Sequence, residues 1–263
     1  MGELTGRVAV ITGGTRGIGR ACAEAFLRDG ASVVVNGRGA EKGEQAIAEM
    51  QADLGVGDRV RFVQGDATSK DDCERLIDET VTTYGGVDIL VNNAGGSHNN
   101  APVAELTDEA LEFALTVNLW STFWCSRRAL GHMIPKQWGR IINISSLEGK
   151  VGKPGIATYV TAKHAVNGLT KAMALEVGTL GITVNALCPG AIETDTMAEE
   201  GGKAAETMGM TYQQLLDWFA EESATKRLCE AEDVAEVAVL LASDAGGGIT
   251  GSMISIDGGT APY

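Results

Sequence analysis

The chain has 263 residues, 44% of them hydrophobic, with a formal net charge of −14 and a mean hydropathy near zero. That combination suits one globular domain with a substantial core. It argues against nucleic acid or an anionic membrane as a partner, because an acidic surface is repelled by both. Residues 1–7 run straight into the first apolar stretch without a signal core, and no stretch reaches the ~18–20 apolar residues of a membrane span. Cys22, Cys73, Cys125, Cys188 and Cys229 are scattered, with no CxxC and no clustering with the three histidines. They read as reduced thiols of a cytoplasmic protein without a metal site.

In chain order, the first apolar run, Val8–Thr12, leads into Thr12-Gly13-Gly14-Thr15-Arg16-Gly17-Ile18-Gly19. This reads as a buried strand, a tight glycine turn and a helix start, with Ile18, Ala21, Cys22, Ala25 and Phe26 on one face of a helix over Gly17–Asp29. Such a turn exposes unpaired N–H groups at the positive end of a helix, which suits a pyrophosphate. Strands follow at Ser32–Asn36, Val60–Gln64, Asp88–Asn92, Arg140–Ser145, Thr183–Leu187 and Ser252–Ile256. Helices lie between them at Glu41–Leu54, Lys70–Tyr84, Asp108–Met133, Thr158–Val177 and Glu232–Ala242. Strict alternation predicts βαβ units with right-handed crossovers. The fold class is therefore α/β: a single Rossmann-type doubly wound domain over residues 1–263, with seven parallel strands and helices on both faces.

About forty residues between Leu187 and the helix at Glu232 break this rhythm, more than an ordinary connection needs. Thr211 and Gln214 make a capping box there, with Leu215, Trp218 and Phe219 on one helical face behind it. The expectation is a substrate lid at about 193–227.

The polar residues collect where the strands end. The glycine loop follows strand one, Asn92-Asn93-Ala94-Gly95 strand four, Ser145-Ser146 strand five and Pro189-Gly190 strand six. In open parallel sheets that edge binds ligands. Tyr159 and Lys163, four apart on a helix, share a face, and Lys163 continues the stripe of Val166, Thr170 and Met173 toward the interior. A nearby ammonium favours the phenolate and brings a tyrosine toward working pH. Asn118 lies on the stripe of Leu111, Ala114 and Leu115, beside Phe113, Val117, Trp120 and Trp124. So wide an apolar arc predicts a deeply buried helix whose asparagine needs hydrogen-bond partners. Either Ser145 or Ser146 could steady a substrate oxygen.

TGGTRGIG, NNAG, Asn118, Ser146…Tyr159-x-x-x-Lys163, Pro189-Gly190 and Asp257-Gly258-Gly259 together resemble the short-chain dehydrogenase/reductase family over essentially the whole chain. The resemblance implies a catalytic tetrad of Asn118, Ser146, Tyr159 and Lys163; the family's serine precedes its tyrosine by thirteen residues, which selects Ser146. It implies hydride transfer between nicotinamide and a carbonyl carbon, with Tyr159 moving the proton, Ser146 holding the oxygen, Lys163 binding the nicotinamide ribose and Asn118 holding a relay water. It places Gly13, Thr15, Arg16, Gly17, Ile18 and Gly19 under the pyrophosphate. Asp66, with Ala67, falls at the adenine edge, and Asn93, Ala94 and Gly95 lie under the adenosine half. Pro189, Gly190, Ile192 and Thr194 come beside the carboxamide. The family assembly is a homotetramer, which would bury the faces of Asp108–Met133 and Thr158–Val177 between subunits.

Strand two ends in Asn36-Gly37-Arg38, where Asn36 and Arg38 are expected to touch the cofactor. A carboxylate that would select NAD belongs at Gly37, which has none, whereas Arg38 and Arg16 suit a phosphate. The expected cofactor is NADP(H), with NAD(H) possible. Glu148, Gly155, Lys153, His98, Met197, Trp218 and Phe219 are expected around the substrate, where Glu148 would favour a polar or cationic group. Carrier-docking basic residues of related 3-oxoacyl reductases would fall at Gln137 and Leu180, although Arg127, Arg128, Lys136 and Arg140 could form a local basic patch. A small or CoA-linked ketone is therefore expected. The alternatives are an NAD-linked hydroxyacyl, hydroxybutyrate or steroid dehydrogenase, and a noncatalytic nucleotide sensor.

Overall fold

A computed structural model describes residues 2–194, 197–198, 201–202, 205–206 and 208–261. Seven parallel strands form one sheet in the order β3-β2-β1-β4-β5-β6-β7. They are β1 (Val8–Ile11), β2 (Ser32–Gly37), β3 (Val60–Gln64), β4 (Ile89–Asn92), β5 (Gly139–Ile144), β6 (Ile182–Pro189) and β7 (Met253–Ile256). The strands are apolar throughout because alternate side chains feed two different cores. Ala9, Ile11, Val33, Val35, Ile89 and Val91 pack on one face, against Cys22, Phe26 and Leu241. Val10, Val34, Leu90 and Ile141 pack on the other, against Leu76, Met133 and Val177.

The first face is covered by α1 (Gly17–Arg28), α2 (Ala40–Leu54) and α8 (Ala231–Ala242), the second by α3 (Lys70–Tyr84), α5 (Ser121–Lys136) and α6 (Ala157–Val177). Strand order reverses between β1 and β4, where Ile11 is in register with Val91. The glycine loop and the Asn92–Gly95 segment therefore leave the sheet side by side, at the crevice where such sheets bind ligands.

Two helical expectations change. The predicted helix over Asp108–Met133 is three pieces: α4 (Asp108–Leu115), a π turn over Thr116–Trp120, and α5. The Asn118 amide donates to Ala114 O at 2.9 Å, the carbonyl that its own backbone N–H would take in an α-helix. The ladder slips locally by one residue, and Ser121 N donates to Thr116 O. The expected deep burial of the wide apolar arc is also corrected. Asn118 is 1% exposed, but Leu111, Phe113 and Trp120 stand at the surface, Trp120 at 46%. The arc is wide because one side packs inward while the other remains an apolar face on the monomer.

Beyond β6, α7 (Tyr212–Glu222) carries the expected capping box between Thr211 and Gln214. Asp195, Thr196, Glu199, Glu200, Lys203, Ala204 and Thr207 of the expected lid lie outside the described residues. No helix among those described is long and apolar enough to cross a membrane.

Candidate active site

The glycine loop is shaped by close approach. Gly13 and Gly17 have φ of +63° and +54°, which favour glycine, and a Cβ on Gly17 would lie 3.3 Å from Thr194 Cγ2. Arg16 is the exposed N-cap of α1, so the loop presents a helix N-terminus opposite Thr194. Thr194 Oγ1 in turn accepts from Met197 N at 3.2 Å. Ile18 packs on the core beneath, and Gly19 sits hard against Asn93 Nδ2. The left-handed glycine turn and the helix start that follows it fit a dinucleotide pyrophosphate.

Asn93 and Asn36 act on backbone. Asn93 Nδ2 donates to Thr12 O and Gly13 O, both at 3.0 Å, while Thr12 Oγ1 accepts from Asn93 N and Ala94 N. The end of β4 is thereby stitched to the glycine loop. Asn36, expected to touch the cofactor, is buried and donates to Val63 O and Gly65 O at 3.1 and 3.0 Å. It shapes the loop carrying Asp66, whose Oδ1 accepts from Thr68 N and Oγ1; Ala67 O accepts from Cys73 Sγ.

Beside that loop is an open polar hollow of about 420 Å³ lined by Arg38, Gln64, Gly65, Asp66, Asp72 and Arg75. Arg75 is committed to Asp72, Glu79 and Gln64 O. Hydrogen bonds to Asp72 and Glu79 raise its pKa. Arg38 is exposed and enters no ion pair among the described residues. Gly37 faces Thr15: a Cβ there would lie 3.2 Å from Thr15 Cγ2.

At the end of β5, Lys163 is 4% exposed. Its Nζ donates to Ile144 O at 2.8 Å and lies 5.5 Å from the Tyr159 ring centroid. Burial pulls its pKa down to about 8, opposed by the nearby Cys188 and Glu148. Tyr159 is half-buried on the same face of α6. Gly95 separates Asn118 from Lys163: a Cβ there would overlap Asn118 Oδ1 and stand 3.4 Å from Lys163 Nζ. Both N–H groups of the Asn118 amide are used, donating to Gly96 O at 3.0 Å and to Ala114 O, and its Oδ1 accepts from Gly96 N at 3.1 Å.

Of the two candidate serines, Ser145 Oγ turns inward to Lys163 O at 3.4 Å. Ser146 Oγ donates to Glu148 Oε2 at 2.5 Å and accepts from Glu148 N at 3.3 Å. Glu148 Oε1 also faces Lys153 Nζ at 3.9 Å. The protein itself thus places one cation, Lys153, opposite Glu148. Gly155, with φ of +82°, forms the open turn before α6. His98 is edge-on to Phe113 at 5.1 Å. Pro189 ends β6, Gly190 N donates to Ile256 O at 2.9 Å, and Ile192 bridges to Cys229.

The expected basic patch is absorbed. Arg127 pairs with Glu74, Arg128 with Asp78 and Lys136 with Asp88, and Arg140 is buried against Ser243 O. Sequence reading missed the supports beneath the site: Asn92 Nδ2 donates to Asn143 Oδ1 and Ser126 Oγ, and Asn143 Nδ2 to Thr170 Oγ1. The available signal was an asparagine within each of these apolar strand runs, a costly choice unless paired.

Residues 7–204 match the short chain dehydrogenase family. The chain is 38% identical over 254 residues to D-beta-hydroxybutyrate dehydrogenase of Rhizobium meliloti (strain 1021), covering 96% of this chain and 98% of that protein. It is 38% identical over 256 residues to a 3-oxoacyl-acyl-carrier-protein reductase of Haemophilus influenzae, covering 97% and 98%. The crystal structure of a phenylalanine-to-tryptophan variant of actinorhodin polyketide ketoreductase with NADPH superposes with a TM-score of 0.93 at 32% identity, over 100% of both chains. With this sheet order, glycine cradle and buried lysine, the chain belongs to the short-chain dehydrogenase family of NAD(P)-dependent oxidoreductases.

Proposed function

We propose that this protein is an NADP(H)-preferring ketoreductase that interconverts a small or CoA-linked ketone and its secondary alcohol, with Tyr159 as the proton-transfer group. The observation that carries the reading is Lys163, a buried ammonium fixed by Ile144 O beside the Tyr159 ring. A cation there favours the phenolate, which lets a phenol exchange protons near neutral pH.

When bound, the nicotinamide supplies or accepts hydride at the substrate carbon. Gly13, Thr15, Arg16, Gly17, Ile18 and Gly19 would hold its pyrophosphate, Asp66 and Ala67 its adenine edge, and Asn93, Ala94 and Gly95 the adenosine half. Pro189, Gly190, Ile192 and Thr194 would flank the carboxamide, and Lys163 the ribose. Tyr159 gives its proton to the developing alkoxide in reduction and takes it back in oxidation. Ser146 steadies the same oxygen. Asn118 clamps Gly96, and any relay water that needs a donor would take it from groups other than the Asn118 amide, whose two N–H groups are already committed.

The NADP(H) preference is supported by Arg38 at the rim of the polar hollow and by the absence of a carboxylate on Gly37. The pairing of Arg127, Arg128 and Lys136 with acidic neighbours supports a small or CoA-linked substrate over an acidic carrier protein. We assign a single catalytic domain with a lid at about 193–227. We also assign a homotetramer that covers Phe113, Trp120 and Leu175, all exposed on the monomer. Five buried, free cysteines support a cytoplasmic setting.

The deciding experiment follows NADPH and NADH consumption over a panel of ketones, including acetoacetyl-CoA and ethyl acetoacetate. Tyr159→Phe should lose roughly 10²–10⁴-fold in kcat. An NADH preference above about tenfold, a difference of roughly 1.4 kcal/mol, would overturn the cofactor assignment; no turnover of any ketone or alcohol would overturn the activity.

A further inference from the structure

A continuous line of side chains runs from Ser146 to the lid helix. Ser146 Oγ donates to Glu148 Oε2 at 2.5 Å, Glu148 Oε1 faces Lys153 Nζ at 3.9 Å, and Lys153 Nζ lies 4.6 Å from the Phe219 ring centroid and 5.4 Å from that of Trp218. Both rings belong to α7, packed 5.2 Å apart. Lys153 therefore bridges the loop after β5 to a helix some sixty residues away in sequence, through a cation–π contact on one side and an ion pair on the other.

A serine hydroxyl has one proton. While Glu148 holds it, Ser146 can only accept from a substrate oxygen, which suits an alcohol. A ketone oxygen carries no proton and needs Ser146 to donate. Ketone binding thus requires Glu148 to give up its bond from Ser146, and a partly buried carboxylate that loses a donor needs another. Lys153 is the cation in place to supply it by closing its gap to Glu148, and its position is set by the two aromatic rings of α7.

We propose that Glu148 and Lys153 are a positioning pair that sets the direction of the Ser146 hydroxyl, and that α7, through Phe219 and Trp218, sets the pair. The proposal rests on the ketoreductase reading for its kinetic consequence. It makes Lys153 a latch between the lid and the oxygen-binding serine, so that ketone is held best when α7 is seated.

The test is a mutant cycle with ethyl acetoacetate, or the best ketone of the panel, reading KM and kcat separately. In E148Q the amide N–H can donate to Ser146 Oγ and release the serine proton, so ketone KM falls about threefold or more. In K153M the carboxylate keeps its only donor, so ketone KM rises about threefold or more. K153R, which keeps the charge and stacks on aromatic faces, returns KM to within about twofold of wild type. The double variant E148Q/K153M follows E148Q alone. An ion pair that merely braces the loop would move KM in the same direction in both single variants; that result, or an additive double variant, overturns the proposal.

A second arm needs no turnover. Amide hydrogen exchange over residues 211–222 should quicken roughly tenfold in K153M and stay at the wild-type rate in K153R. Unchanged exchange in K153M would show that Lys153 does not hold α7 and would overturn the latch. If the wild type reduces no ketone, the functional reading fails, while exchange still decides the latch.

Discussion

The ammonium of Lys163, on α6, is held at 2.8 Å by the carbonyl oxygen of Ile144, the last residue of β5. That bond fixes the cation relative to the sheet edge, so the distance to the Tyr159 ring depends on strand–helix packing and not on a flexible side chain. It also keeps a charged group where water is excluded, which has a measurable cost.

Burial lowers the folded-state pKa of Lys163 from 10.5 to about 8. Below pH 8 both folded and unfolded chains carry the proton, and the folded chain bears the full burial penalty, of about 3 kcal/mol for a shift of this size. Between about pH 8 and 10.5 the unfolded chain binds more protons than the folded one. Stability therefore gains from this group as pH rises through that window. Urea unfolding of wild type and Lys163→Met should show the wild type gaining about 2–3 kcal/mol relative to the variant between pH 7 and pH 10.5. A pH-independent difference would mean that the ammonium is solvated.

Arg38 and Gly37 govern the cofactor prediction. Arg38→Ala should lower kcat/KM for NADPH by roughly 10–100-fold, the worth of one charge-assisted bond, with little change for NADH. Gly37→Asp should shift preference further toward NADH, at a small cost in packing because its Cβ meets Thr15 Cγ2 at 3.2 Å. The ratio of the two efficiencies in each variant is the measurement.

Asn118 braces Gly96 through both backbone groups. Asn118→Ala should destabilise the protein by about 1–3 kcal/mol, the cost of leaving buried polar groups unpaired. Amide exchange should quicken around residues 94–98. Gly95→Ala should abolish turnover while leaving the protein folded, since the added methyl collides with Asn118 Oδ1, which must shift beside Lys163. Wild-type kinetics in Gly95→Ala would show that this crevice is roomier than described.

Arg127 and Arg128 are occupied by Glu74 and Asp78 across the α3–α5 contact. Replacing both by Gln should leave the ratio of activities on acyl-CoA and acyl-carrier substrates unchanged. A selective loss with the carrier-linked substrate, measured in parallel assays, would restore the docking role.

Much of this architecture is legible in the linear chain: the alternation of strands and helices, the glycine turn, the Tyr159–Lys163 pair and the inward stripe of Val166, Thr170 and Met173. Each is a local property, carried by residues within a turn or two of one another, and hydrophobic period suffices to read it. The π turn at Thr116–Trp120 is not legible there, because one asparagine amide competing for Ala114 O leaves no trace in apolar spacing. What the polar side chains face is settled only when the chain is folded. Asn36 and Asn93 spend their amides on neighbouring backbone, and Arg127 and Arg128 meet carboxylates some fifty residues away. Glu148 finds its cation in Lys153, and Lys153 finds its aromatic cover on α7. Such pairings depend on strand order and helix placement, and a charge in a linear sequence carries no record of the partner that the fold will bring to it.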